Sequence, residues 1–347
     1  MDISGEHNCD TYNNSKLIIM KQEFSFFTGI DVSKSWLDIA VFSADKGIVH
    51  QARINNNIKD IKSFFKELKS LLNTELTNHL FCMEHTGRYG RAFLNASVLE
   101  KINVWVELPL QIKRSQGLVR GKTDQWDAVR IAQYAHRFAD KATFWKPMDK
   151  KIEELKELQV KRARMVKAYT QLSLDGKNDP LFKKPLQALK QSIEAIELKM
   201  EQVVEQSENA KHQYKLLQTV PGIGKQTAIA LLVVTNGFTR LTESRKLSCY
   251  AGLAPFPYQS GSSVKGKTKI SKMGDMKLKV LVNLSAWNAI RSITSFKDYF
   301  NRKVGEGKHK MSVINAIRNK LLALALAVIK RNTPFVKEYS YDLLLLP

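Results

Sequence analysis

A chain of 347 residues with 44% hydrophobic and 25% charged content is a folded protein with room for two domains, and neither a disordered nor a fibrous one. Its 55 Lys and Arg against 33 Asp and Glu leave a formal charge of +22, which points to a polyanion partner, nucleic acid before anionic membrane. Three widely spaced cysteines (Cys9, Cys82, Cys249) argue against a disulfide framework or zinc knuckle and suit a reducing cytoplasm, and the seven histidines show no metal-ligand spacing, so no zinc is expected.

Residues 1–23 read as a polar leader without a secretory signal. From Phe24, "FSFFTGID" and "WLDIAVFSA" read as strands of a hairpin around "VSKS", and "GIVHQARINN" as a third strand. In "IKDIKSFFKELKSLLN", Ile58, Ile61, Phe64, Phe65, Leu68, Leu71 and Leu72 recur with a helical period. "HLFCMEHT" is a fourth strand, "GRYGRAFLNASVLEKI" a helix and "NVWVELP" a fifth strand, so residues 24–148 form a mixed α/β sheet domain. Residues 149–212 are charged helix. Leu186, Leu189, Ile193, Ile196, Met200 and Val203 alternate spacings of three and four, a heptad seam. A similar seam from Ile152 to Leu174 is interrupted by Arg162, and "DGKNDP" separates the two. Two antiparallel helices, each on the order of 30 Å long, are predicted, and their exposed seam favours dimerisation over a mere spacer. Residues 213–347 carry the charge: from Phe256 to Arg331 there are 16 Lys and Arg against three acids. The run "LLALALAVI" there is too short to span a bilayer and reads as a buried helix.

Four acids stand out. Asp31 and Glu84 each end an apolar strand, where ligands bind in open α/β sheets. Asp124 and Asp127, in "VRGKTDQWDAVRIAQYAHRF", share one face at the start of a helix. Read locally they are an N-cap and the acid of a capping-box-like pair, favoured by the helix dipole. Read with Asp31 and Glu84, they are carboxylates whose repulsion needs cations, and hard oxygen ligands suit Mg²⁺ or Mn²⁺. Two such ions would activate an attacking oxygen and stabilise a leaving one at phosphate. Trp126, between the pair, is expected to pack the helix on the sheet. A second constellation, "YQSGSSVKGKTKISK", joins a Gly/Ser loop to Lys265, Lys267, Lys269 and Lys272, a phosphate-seeking segment that could do no more than grip a DNA backbone. In "VPGIGKQTA", Gly222, Gly224 and Lys225 suit either a phosphate at a helix start or a tight turn before a buried helix.

The segments "GIDVSKSWLDIAVF", "MEHTGRYG" and "GKTDQWDAVRIA" resemble the RuvC-like DEDD domain of a prokaryotic insertion-sequence transposase family, the IS one-ten / IS eleven-eleven group, whose relatives include the Piv DNA invertases. "LLQTVPGIGKQTAIALL" and "LSCYAGLAPFPYQSGSSVKGKTKISKMGD" resemble its C-terminal transposase domain, so the likeness runs from about Phe26 to Phe335. The resemblance implies an α/β RNase H-like (RuvC-like) domain at 24–148, a helical coiled-coil insertion at 149–212 and a mainly α C-terminal transposase domain at 213–347. By it, Asp31, Glu84, Asp124 and Asp127 match the metal ligands. Ser260, first of the S-G-S-S run, matches a nucleophile that forms a phosphoserine link to DNA, with Ser262 and Ser263 as substitutes or helpers. It further implies a DNA transposase or recombinase acting on double-stranded element ends and target. A non-coding bridge RNA would guide it, in a cytoplasmic, membrane-free homodimer or homotetramer, with a site composite between protomers as one arrangement left open. No G-x-x-x-x-G-K-[ST] loop is present, in keeping with covalent conservation of phosphodiester energy. Two other readings stay open: a RuvC-like metal endonuclease or junction resolvase using water, and a non-catalytic nucleic-acid-binding protein.

Overall fold

The computed structural model describes residues 24–115, 124–176, 179–260, 264–271 and 273–336. The chain divides into two compact units, Met1–Pro147 and Met148–Pro347.

In the first unit, β1 (Phe26–Val32) and β2 (Trp36–Ser43) form the expected antiparallel hairpin, followed by β3 (Gly47–Asn55). Ser33 closes the turn: its hydroxyl donates to the Trp36 carbonyl at 2.8 Å and accepts from the Trp36 amide at 3.1 Å. Helix α1 (Ile58–Leu72) starts at Asn57, whose side chain accepts from the Asp60 amide, and stops at Asn73 in the left-handed region. Then come β4 (His79–Glu84), α2 (Arg91–Leu99), β5 (Val104–Glu107), α3 (Pro109–Ser115) and α4 (Asp124–Arg137). The sheet order is β3-β2-β1-β4-β5; β4 runs parallel to both β1 and β5, and the other pairs are antiparallel.

Alternation along the strands divides the apolar side chains between two faces. Ile30, Val32, Ile39, Val41, Phe81 and Met83 pack with Ile61, Phe64, Phe65 and Leu68 of α1 and Phe93 of α2. Phe27, Leu80, Cys82 and Trp105 face the other way, onto Ile131 and Ala135 of α4. Gly29 permits that second layer. A Cβ there would lie 2.2 Å from the Ala128 carbonyl oxygen and 2.2 Å from the Ala132 amide nitrogen, so the helix backbone rests directly on β1.

The second unit opens with α5 (Lys150–Gly176) and α6 (Pro180–Glu205). They form an antiparallel hairpin, shown by contacts of Lys151 with Gln206, Arg162 with Glu197, and Gly176 with Phe182. Arg162, which breaks the apolar seam in sequence, spans the hairpin as a 2.6 Å ion pair to Glu197. At the base, Ile152, Leu155, Met200 and Val203 are buried in the core of the unit, whereas Leu186, Leu189, Ile193 and Ile196 are only half-buried. The core continues through α7 (Glu208–Thr219), α8 (Lys225–Thr235) and α9 (Ser244–Tyr250). After the short strands β6 (Pro255–Ser260) and β7 (Val264–Ile270), it ends in α10 (Met276–Ser292), α11 (Thr294–Gly305) and α12 (Lys310–Arg331). Helix α8 is apolar on all sides and buried along most of its length, as a central core helix must be. Among the described residues, α12 is the one helix long and apolar enough to cross a membrane. Here it packs into the core through Ile314, Ile317, Leu321, Leu322 and Ala325. One expectation is corrected: the segment read as a Gly/Ser loop is largely a β-hairpin, with Ser260 ending β6 and Lys265, Lys267 and Lys269 on β7. Tyr258, Gln259 and Ser260 pair with Gly266, Lys265 and Val264.

Candidate active site

Strand register assembles the acids. Asp38 on β2 pairs with Arg53 on β3 and with Asp31 on β1; Ile30 pairs with Met83, which sets Asp31 beside Glu84; and Glu84 on β4 pairs with Glu107 on β5. Directly paired residues share a sheet face. The row Arg53, Asp38, Asp31, Glu84, Glu107 therefore crosses all five strands at one level, on the face that α4 covers. Helix α4 runs opposite to β1: the His136 ring lies 4.7 Å from Phe27, whereas Ala128 and Ala132 meet Gly29 two residues further along the strand. Its first turn, with Asp124 and Asp127, thus comes to the sheet end that bears Asp31 and Glu84.

These charges are not equally compensated. Asp38 is 3% exposed and receives Arg53 through Nε at 2.8 Å and Nη2 at 3.0 Å, while the guanidinium lies 5.2 Å from the Trp36 ring centroid. Asp127 accepts from Arg130 Nη1 at 3.0 Å, an intrahelical pair. Helix α4 starts at Asp124 itself, whose side chain lies outside the described residues. Glu107 accepts the Leu108 amide at 2.6 Å and the Tyr134 hydroxyl at 3.3 Å. The negative field registers on its neighbours. Burial, then Glu107 and Glu84, push the Cys82 thiol far up, and burial followed by Glu107 pushes Tyr134 up to about 12.

Among the described residues, no three acidic, histidine or cysteine side chains converge closely enough to hold an ion as they stand. The donor chemistry nonetheless fits a hard divalent cation. Asp31 and Glu84 are half-buried on adjacent strand ends, Asp127 faces the same end, and the charge beside Cys82 and Tyr134 is negative. Sequence reasoning missed Asp38 and Glu107. The strand-end acid of "NVWVELP" carries the signal that picked out Asp31 and Glu84. Trp126 departs from expectation: it is 62% exposed and does not pack α4 on the sheet.

In the second unit, the side chains of Ser260, Lys265 and Lys267 lie outside the described residues, as do Ser262, Ser263 and Lys272 altogether; Lys269 is exposed. The root of the hairpin is well defined. Gly252 (φ +64°) abuts Gly274, the Asp275 amide donates to the Tyr250 carbonyl at 2.8 Å, and Asn315 and Asn319 donate to the Leu253 carbonyl at 2.9 and 3.3 Å. Gly222 (φ +79°) takes a left-handed turn, and a Cβ there would meet the Ser285 carbonyl oxygen at 2.2 Å. Gly224 precedes α8 in open space, and Lys225 pairs with Glu201 at 2.6 Å.

Two family models match the chain: a DEDD transposase domain over residues 28–176 and the transposase IS116/IS110/IS902 family over residues 214–301. The chain belongs to the IS110/IS116 transposase family. A pilin gene-inverting protein of Moraxella bovis is 29% identical over 332 residues, 90% of this chain and 98% of that one. The IS110 43.6 kDa protein of Streptomyces coelicolor is 31% identical over 110 residues, 31% of this chain and 27% of that one. Among solved structures, T. thermophilus RuvC in complex with a Holliday junction substrate matches 35% of this chain and 99% of its own, with 16% identity and a TM-score of 0.28. As a family member the protein is a transposase, an enzyme that cleaves and rejoins DNA.

Proposed function

We propose that this transposase cuts and rejoins DNA by serine transesterification at an RNase H-like DEDD site that works with Mg²⁺ or Mn²⁺. One observation carries the reading: Asp31 and Glu84 are neighbours in a single row at the end of the sheet where the first turn of α4 brings Asp124 and Asp127. The strand order β3-β2-β1-β4-β5 supports the RNase H-like assignment. Asp31, Glu84, Asp124 and Asp127 would hold the ions, which when bound supply charge neutralisation at phosphate and a lowered pKa for the attacking hydroxyl. Ser260 Oγ attacks a backbone phosphorus. One bond from phosphorus to a deoxyribose oxygen breaks, that oxygen takes up the proton, and a phosphoserine ester remains. A second strand's hydroxyl reverses the step, so the number of phosphodiesters is conserved without ATP.

Double-stranded DNA is the substrate in this reading, and a guide RNA the source of sequence specificity. The concentration of basic residues from Phe256 to Arg331 supports a nucleic-acid partner, with Lys265, Lys267, Lys269 and Lys272 as phosphate contacts. Gly222 and Gly224 would bring backbone amides to a phosphate, whereas Lys225 would have to exchange Glu201 for it. Two copies at least must act in register, with a dimer or tetramer as the working form and the half-covered α5–α6 seam, read as a coiled coil, as the means of association.

The experiment is a denaturing gel of protein incubated with element-end DNA, flanking RNA and Mg²⁺. Wild type should give a metal-dependent covalent protein–DNA band that Ser260→Ala lacks. Strand cleavage without an adduct, unchanged in the variant, would replace this mechanism with hydrolysis by water.

A further inference from the structure

Glu107 lies outside the four family acids, yet the register makes it the direct partner of Glu84 on the next strand. Among the described residues its contacts are two neutral donors: the Leu108 amide at 2.6 Å, which holds its rotamer, and the Tyr134 hydroxyl at 3.3 Å. Tyr134 belongs to α4, two turns beyond Asp127. Its ring also packs on Trp105, two residues before Glu107 on the same face of β5, with centroids 5.1 Å apart.

The axial position of α4 needs such a grip. Nearest Asp31 the helix meets β1 and β2 through Gly29, Ala40, Ala128, Val129 and Ala132, which let backbones approach closely but interlock little along the helix axis, and the larger contacts, Phe27 and Phe42 on His136, lie towards its far end. A slip of one residue moves a helix by ~1.5 Å. A ligand set tolerates about 0.5 Å. Trp105 and Glu107 clasp one side chain of α4 between a ring and a carboxylate, and the carboxylate sits beside Glu84.

We propose that the Glu107–Tyr134 pair is a positioning device of the metal site: it sets how far the first turn of α4, with Asp127, lies from Glu84. The proposal rests on the metal-dependent reading above. Neither residue is a ligand in it; each acts through Asp127 and Glu84.

The test measures Mn²⁺ alone binding to the full chain, followed by the electron paramagnetic resonance of the free ion, for wild type, Tyr134→Phe, Glu107→Gln, the double variant and Asp31→Asn. Tyr134→Phe removes only a hydroxyl and Glu107→Gln keeps an acceptor, so both should melt within a few degrees of wild type. Each single variant should weaken Mn²⁺ binding at least about threefold, and the double variant should bind no more weakly than the weaker single one, because both break the same contact. Wild-type affinity in Tyr134→Phe would overturn the proposal, as would a double-variant loss equal to the product of the single losses. Wild-type affinity in Asp31→Asn would instead remove the metal site itself, leaving the cause of failure unambiguous.

Discussion

His79 shows how one buried side chain couples this fold to pH. It is fully buried on β4 and stacks between Phe26 and Phe81 at 4.9 and 5.5 Å; Nδ1 meets the Thr28 hydroxyl at 3.1 Å, and Nε2 has no hydrogen-bond partner among the described residues. Burial lowers its pKa to about 4. The unfolded chain therefore binds the proton first as pH falls, so this contribution is intact above about 6.5 and is lost progressively down to about 4. The loss reaches roughly 3 kcal/mol. Urea midpoints of wild type should drop steeply between pH 6.5 and 4.5, and His79→Leu should flatten that profile. Tyr134 has the opposite window. Its raised pKa stabilises the fold below about pH 10, and that share disappears as pH rises towards 12. At the site, Asp31→Asn should depress metal-dependent DNA cleavage by more than the ~10–100-fold typical of an outer-shell change, with an unaltered melting point. Strand-end acids were legible as single residues because an acid that ends an apolar run is a local anomaly. Asp38 was not: it lies inside the strand-like run "WLDIAVFSA", and only its pairing with Arg53 reveals how its charge is carried.

At the scale of elements, hydrophobic period located the strands and helices, since alternation and the 3.6-residue repeat are both written within a few turns of chain. The β6–β7 hairpin escaped that reading. Gly, Ser and Lys carry little β propensity, and pairing of Tyr258, Gln259 and Ser260 with the opposite strand is what makes them extended. Arg162 read as a break in the α5 seam because its partner, Glu197, lies on the other helix. Gly29 is the element-scale test of the site. Gly29→Ala drives a methyl into the backbone of α4, with no flexible side chain to yield. It should cost about 1–3 kcal/mol, several degrees of melting temperature, and should impair metal-dependent cleavage because α4 carries two of the acids. Wild-type melting and activity in Gly29→Ala would show that α4 does not rest on β1 as described.

For the whole molecule, the charge of +22 makes salt the decisive variable. Affinity for duplex DNA should fall about 10³-fold or more between 50 and 200 mM salt if six or more phosphates are neutralised. Replacing Lys265, Lys267 and Lys269 together by Ala should reduce the slope of log K against log salt by about 0.9 per lysine that contacts phosphate. An unchanged slope would take these residues off the DNA. The sequence by itself determined the strands and helices of the sheet domain, the family and the basic character, and it offered four acids and one serine as candidates, because each is carried by local pattern, composition or contiguous motif. Tertiary structure alone decided that Glu107 stands next to Glu84, that Gly29 seats α4 and that Trp126 is exposed. Those facts depend on strand register and packing between segments tens of residues apart, where no local period carries the information.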